Sequence, residues 1–252
     1  MKTITFVGNG NMALSIAQGL KQNYKIEVVG RDMSKLDAFE DALGVKIEKV
    51  LLDGYNAENK QLLLCVKPAN VEEVASKIVG KPEVLYSVLA GTTLQKLKSA
   101  FGIESVVRTM PNLSASVGAS MTTLTGDKNY KLQAQELLGG VGSTLWLSSE
   151  KEIDIATALA GSGPAYLALI AEALADGAVK QGLKRDDAMA IMRGLFDGFG
   201  KLIQTTHPAL LKDGVMSPGG TTAAGYGALE ENGVRHGCMQ AVEKAYEKAL
   251  TL

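Results

Sequence analysis

Across 252 residues there are only two cysteines, two histidines and one tryptophan, and each scarcity removes a class of function. Cys65 and Cys238 cannot build a disulfide framework, and neither stands in a Cys/His cluster at metal-ligand spacing. No metal site is therefore expected, and the thiols fit a reducing cytoplasm. His207 precedes a proline in a helix-capping turn and His236 falls in an amphipathic helical stretch. Neither has a carboxylate or cysteine partner of the kind that catalytic pairs use. Charge of one sign is also missing, since 26 basic residues meet 27 acidic ones. A nearly neutral chain offers no basic field for nucleic acid or an anionic membrane. No apolar stretch reaches membrane length, and the N-terminal apolar run is too short for a signal peptide. The expectation is a soluble cytoplasmic protein whose chemistry asks little of acid–base side chains, with a small molecule as its partner.

What is present begins at the N-terminus. Residues 4–7, Ile-Thr-Phe-Val, read as a buried strand, and residues 14–20 read as an apolar-faced helix. Between them Gly8-Asn9-Gly10-Asn11-Met12-Ala13 spells GxGxxA, the dinucleotide-binding fingerprint in its required strand–helix context. Gly8 allows the tight turn, Gly10 lets backbone approach a pyrophosphate, and Ala13 lets the helix sit on the sheet. The helix start adds unpaired N–H groups and the positive dipole end. Residues 26–30 read as the second strand, ending about twenty residues past the glycines, where an NAD-binding fold places a ribose-binding carboxylate. Here Gly30 is followed by Arg31, whose several donors suit a 2′-phosphate, so NADP is favoured over NAD. Asp32 is the alternative ribose ligand. Ser34 is expected to cap the next helix and is also in reach of the phosphate.

Residues 44–47 suggest a third strand and 61–66 a secure one, ending at Val66-Lys67-Pro68. Ligands of open parallel sheets bind beyond the carboxyl ends of the strands, which puts Lys67 at the site. The strand over 84–90 brings Ala90 to the same edge. The strand at 106–108 does so for Arg108 and, past Met110-Pro111, for Asn112. Strands at 121–125 and 144–147 close the N-terminal half. The predicted class is α/β, with a Rossmann-like dinucleotide-binding domain over 1–149 and an all-helical domain over 150–252. Helices are expected at 153–159, 165–181, 186–204, 208–212 and 234–250, with Gly182 ending the second. Gly161-Ser162-Gly163-Pro164 reads as a break between the first two. The most informative stretch of this half is Ser217-Pro218-Gly219-Gly220-Thr221-Thr222. Ser217 as N-cap and Pro218 as first helical residue would leave the N–H groups of Gly219, Gly220 and Thr221 free for a carboxylate or phosphate. Two glycines in a first helical turn cost about 1 kcal/mol each against alanine, which favours a functional reason for them.

Together these blocks resemble the Δ1-pyrroline-5-carboxylate reductases, over nearly the whole chain. The resemblance is carried by GNGNMA at 8–13, VKP at 66–68, RTMPN at 108–112, TALAGSGPAY at 157–166, ALADGAVKQGL at 173–183 and HPALLKDGVMSPGGTT at 207–222. It implies reduction of the cyclic imine to L-proline by hydride from NAD(P)H, the last step of proline biosynthesis. It also implies a homodimer through the helical domain, with a higher oligomer open. Thr222 would hydrogen-bond the ring nitrogen as the catalytic contact. Ser217, Gly219, Gly220 and Thr221 would hold the carboxylate, and Glu150 matches an acidic position facing the site. The site would lie where the nicotinamide meets this loop, so that the helix starts at Gly8 and Gly220 face one another. The chain departs from the family at Leu113-Ser114 and at Gly214. A β-hydroxyacid dehydrogenase is a poorer match, because Leu167 stands where its catalytic lysine belongs. A non-catalytic NADP-binding protein would have no use for a second anion cradle.

Overall fold

The structure, a computed structural model, describes residues 1–251. By compactness the chain forms two units, one of Met1–Pro164 with the last stretch from Lys244, the other of Ala165–Glu243. The first unit opens with β1 (Lys2–Val7), α1 (Asn11–Leu20), β2 (Tyr24–Gly30), α2 (Met33–Leu43) and β3 (Glu48–Leu51). Next come β4 (Tyr55–Asn56), β5 (Gln61–Leu64), α3 (Val71–Lys77), β6 (Ile78–Val79), β7 (Val84–Ser87) and α4 (Leu94–Phe101). It continues through β8 (Val106–Met110), β9 (Ser120–Gly126), α5 (Lys131–Gly139), β10 (Gly142–Trp146) and α6 (Glu150–Ala156).

Eight strands form one sheet in the order β10-β9-β8-β7-β5-β1-β2-β3. All neighbours run parallel except β8 and β9. The register aligns Val7 with Val29 and with Leu64, and Leu64 with Ser87, so β1, β2, β5 and β7 end on one edge. This is the edge on which open parallel sheets bind ligands, and β1 sits at the point where strand order reverses. The Leu62-Leu63-Leu64 run is fully buried because both faces are covered. Leu63 joins Ile16, Leu20, Phe39 and Leu137 on one face, while Leu62 and Leu64 join Val71, Val74 and Leu97 on the other. Each such side chain contributes about 1.5–3 kcal/mol by leaving water.

Two expectations need correcting here, and one small element lay outside them. The third strand lies at Glu48–Leu51, not at 44–47. Gly44 instead takes φ 73° as the left-handed cap of α2, its N–H donating to Glu40 O at 3.0 Å. The Ile47 N–H donates to the Glu40 carboxylate at 3.0 Å, so 45–47 form the crossing. A second sheet of β4 and β6, two residues each, is too short to leave a periodic signal. Finally, Glu150–Lys180 is one helical run of 31 residues with mean hydropathy 1.4 in its most apolar window, long and apolar enough to cross a membrane. The glycines at 161 and 163 do not interrupt it. The backbone passes through one π-helical turn at Thr157–Gly161, with Ser162 N–H bonded to Thr157 O at 3.1 Å, and Pro164 falls in the first turn of the next segment.

The second unit contains α7 (Gly163–Lys180) from Ala165 on, α8 (Arg185–Leu202), α9 (Pro208–Val215), α10 (Thr221–Glu231) and most of α11 (Val234–Ala249). Gly182 ends α7 with φ 103°, and Leu183 N–H returns to Ala178 O. His207 caps α9 through Nδ1, which accepts from Ala209 N–H. Ala175 and Ala188 are buried in this unit, whereas Leu169, Ile191 and Leu195 are each more than half exposed. Leucine and isoleucine left uncovered on this scale mark a surface made for another protein.

Candidate active site

The fingerprint folds as its sequence demands. Gly8 has φ 107°, and a Cβ there would stand 2.7 Å from the Cys65 carbonyl oxygen. Its N–H donates to Val29 O at 2.9 Å, so the turn is locked against β2. Gly10 is the N-cap of α1, and a Cβ on it would meet nothing within 4 Å. The first bond inside the helix is Leu14 N–H to Gly10 O, which leaves the N–H groups of Asn11, Met12 and Ala13 unpaired within it. Around this helix start lies a groove of about 580 Å³ that gathers Gly8, Asn9, Gly10, Arg31, Val66 and Lys67.

Two groove residues escaped the sequence reading. Lys35, one turn past Arg31 on α2, adds a third cation to Arg31 and Lys67, and Asn70 lines the groove from the one-turn 3₁₀ helix that Pro68 begins. Spacing in the Arg31-Asp32-Met33-Ser34-Lys35 stretch carried the signal for Lys35. Asn9 ties the glycine turn to α2 by donating from Nδ2 to Lys35 O at 3.1 Å. Arg31 is half exposed, with Glu73 at 3.7 Å. The cap of α2 is Asp32 and not Ser34. Ser34 donates to Asp32 Oδ1 from both its N–H (2.9 Å) and its hydroxyl (2.7 Å). Those two bonds hold the Asp32 carboxyl below the usual range. Burial pushes the Cys65 thiol well up, so the cysteine on the groove wall is no nucleophile. A dinucleotide fits these features: open space at Gly10, an unpaired helix start, and two cations past the end of β2.

The other expected nucleotide residues are dispersed. Asn11 heads α1 and lines a second, smaller groove, while Ala13 is fully buried and Met12 packs on the core. Ala90 lies in the loop after β7. Asn112 is buried and engaged by the protein itself. Its Oδ1 accepts from Ser114 N–H, its Nδ2 donates to Ala160 O at 3.0 Å, and its N–H donates to Ser120 Oγ. Arg108, 1% exposed, turns away from solvent. Its Nη1 donates to Glu150 Oε1 at 3.0 Å and its Nη2 to Asp154 Oδ1 at 2.6 Å. Glu150 Oε1 also accepts the Leu94 N–H at 2.7 Å.

The second cradle differs from its expected form. Ser217-Pro218-Gly219-Gly220 is a β-turn closed by Gly220 N–H to Ser217 O at 3.0 Å, with Gly219 at φ 67°. Proline second and a positive-φ glycine third is the type II pattern. Ser217 is therefore not the N-cap, nor Pro218 the first helical residue. The N-cap is Gly220, and α10 begins at Thr221. Both glycines lie outside the helix, so the helix-stability cost expected of them does not arise. The Gly220 N–H is taken by the turn. The N–H groups without an acceptor inside α10 are those of Thr221, Thr222 and Ala223, since the first helical bond is Ala224 N–H to Gly220 O. A methyl on Gly220 would collide with the Ser217 hydroxyl, which packs against this turn.

Comparison with known proteins finds matches for both parts of the chain. A family model described as pyrroline-5-carboxylate reductase dimerisation matches residues 150–252, and one described as NADP oxidoreductase, coenzyme F420-dependent, matches residues 3–91. The chain is 38% identical to a pyrroline-5-carboxylate reductase of Glycine max, over 99% of this chain and 96% of that one. The crystal structure of the Streptococcus pyogenes 1-pyrroline-5-carboxylate reductase superposes with a TM-score of 0.85 at 30% identity, covering 99% of this chain and 98% of that one. The Plasmodium falciparum pyrroline carboxylate reductase, solved with NADP bound, superposes with a TM-score of 0.80 at 26% identity over 99% and 97%. With a GxGxxA turn on a parallel sheet, a glycine-rich turn heading α10, and full-length identity at this level, the chain belongs to the pyrroline-5-carboxylate reductase family.

Proposed function

We propose that this chain reduces Δ1-pyrroline-5-carboxylate to L-proline with NAD(P)H, as the last step of proline biosynthesis in the cytoplasm. The observation that carries this reading is the presence of two backbone anion cradles in one chain, at the starts of α1 and α10, each opened by a glycine turn. The α1 start, with Gly10 and the Asn11 N–H, holds the pyrophosphate. Arg31 and Lys35 take the 2′-phosphate, which favours NADPH over NADH. The N–H groups at the start of α10 hold the substrate carboxylate, and the Thr222 hydroxyl orients the ring nitrogen. Bound NAD(P)H supplies the hydride. The protein supplies proximity and charge complementarity, which for a protonated imine suffice without a histidine acid. The exposed apolar faces of α7 and α8 pair two copies of the chain.

The direct test mixes purified protein, NADPH and pyrroline-5-carboxylate and follows the absorbance of the reduced cofactor. Absence of turnover with both NADPH and NADH refutes the proposal. Thr222→Ala is expected to lower kcat about 100–1000-fold, the range for one transition-state hydrogen bond, with NADPH affinity unchanged. Equal loss of both refutes the role given to Thr222.

A further inference from the structure

We propose that Glu150 is a positioning residue for the nucleotide site, fastening the loop after β7 through Leu94 N–H, rather than a ligand of the substrate. The proposal rests on the reading that NAD(P)H binds at the carboxyl edge of the sheet. Glu150 is the first residue of α6, whose own N-cap is Ser149. Its Oε1 accepts two hydrogen bonds, from Leu94 N–H at 2.7 Å and from Arg108 Nη1 at 3.0 Å. Leu94 is the first residue of α4. The two side chains that close the head of this helix come from far apart in the chain. Thr93 Oγ1 accepts the Lys96 N–H, and Glu150, 56 residues further on, accepts that of Leu94. A carboxylate at a helix N-terminus is favoured by the helix dipole as well as by the bond.

Immediately before Leu94 runs the short connection from β7, through Ala90, the positive-φ Gly91 and the buried Thr92. It leaves the sheet level with Leu64 and Val7, hence on the edge that carries the glycine turn and the groove. One end of this loop is fixed by the β7 ladder and the other by Glu150. Ser87 aligns with Arg108 across β7 and β8, so the buried guanidinium is level with the start of the same loop. Local charge is already accounted for. Arg108 lies between Glu150 and Asp154, and the α4 head supplies the remaining positive potential. A substrate cation is not needed to neutralise Glu150.

The test measures NADPH affinity by calorimetry, independently of turnover, for the wild type, Glu150→Gln, Glu150→Ala, Leu94→Ala and Leu94→Pro. Glutamine keeps an oxygen for both donors, so its NADPH Kd stays within about two-fold of wild type, whereas alanine, which leaves the Leu94 N–H without its acceptor, raises it roughly ten-fold. Proline at the first helical position removes the Leu94 N–H and is otherwise compatible there. Thr93 at φ −71° and ψ 155° already has the extended conformation that proline imposes on its predecessor. Leu94→Pro therefore binds NADPH several-fold more weakly than Leu94→Ala, and amide exchange rises over residues 90–94 in Glu150→Ala. At saturating NADPH the imine KM of Glu150→Gln equals that of wild type. The proposal is overturned if both Glu150 variants raise the imine KM while NADPH Kd stays at the wild-type value, or if Leu94→Pro and Leu94→Ala bind NADPH equally. If Glu150→Ala does not fold, the Leu94 pair decides. A wild type that binds NADPH but reduces no imine sinks the proposed function and leaves the affinity series intact.

Discussion

Alanine at Gly8 and alanine at Gly10 should damage the protein in opposite ways, although only Asn9 separates the two glycines in one motif. At Gly8 the backbone has φ 107°, and the added methyl would stand 2.7 Å from Cys65 O and 2.9 Å from Cys65 C. Neither atom can retreat, because the Cys65 N–H is bonded to Val7 O at 2.8 Å and the Gly8 N–H to Val29 O. Strain of about 1–3 kcal/mol for the backbone and about 1–3 for the overlap add to roughly 4 kcal/mol. For a chain of this size that lowers Tm by on the order of 10 °C. At Gly10 the extended backbone, φ −82° and ψ −179°, admits any residue, and the methyl meets nothing within 4 Å. The folding change stays below about 1 kcal/mol. Yet that methyl occupies the approach to the α1 start, so NADPH affinity should fall at least about ten-fold, or 1.4 kcal/mol. Differential scanning calorimetry and NADPH titration on both variants separate the two effects. A Gly10→Ala protein that binds NADPH like wild type, or a Gly8→Ala protein that melts like wild type, refutes the reasoning.

Arg31→Ala should raise the KM for NADPH about ten-fold or more and leave NADH kinetics unchanged, because it removes donors to the 2′-phosphate alone; equal effects on both cofactors would reassign Arg31. Glu40 is held down to about 2 by the Ile47 N–H, Lys46 and Lys49. Its folded-state value lies below the unfolded one, so its contribution to stability is complete above about pH 4.5 and is lost as pH falls toward 2. Glu40→Gln should therefore flatten the acid limb of a plot of unfolding midpoint against pH, with no change in slope above pH 5 (about half a unit past the reference carboxyl value). Leu169→Asp, on the exposed face of α7, should shift the assembly toward monomer in sedimentation velocity, since about 2 kcal/mol of apolar burial is replaced by a charge.

The nucleotide half was legible because its signals are local. A four-residue strand, a GxGxxA turn and a second strand ending at Gly30 each announce themselves within a few residues, and buried parallel strands such as Leu62-Leu63-Leu64 read as continuous apolar runs. What escaped depends on contacts distant in sequence or on competition between caps. Ser34 and Asp32 can both cap a helix, and the hydroxyl became the donor rather than the acceptor. Ser217 followed by proline looks like a helix start, but a glycine at the third position makes the same residues a type II turn, and the helix begins after it. Arg108 lies in the middle of β8, level with the end of β7, and Asn112 lies two residues past β8, near an edge where ligand contacts are common. Their partners at 150, 154 and 160 lie more than forty residues on and cannot be inferred from spacing.

This division has a physical consequence for where the chemistry resides. The buried arginine, its two carboxylates and the buried asparagine are the kinds of side chain that mark catalysis in many enzymes, and here they join β8 and the turn after it to α6 and the π-helical turn. Apart from Arg31 and Lys35 at the 2′-phosphate, the positions assigned to the ligands are glycines, backbone N–H groups and one threonine hydroxyl. Such groups cannot donate or remove protons in response to pH, and they hold no net charge. Their effectiveness depends wholly on where the backbone is fixed, because misplacement by about 1 Å costs on the order of a hundred-fold in rate. A reaction that needs only a hydride and an oriented imine suits that design, and the buried ionic groups then act at one remove, by keeping the sheet-edge loops and helix starts still.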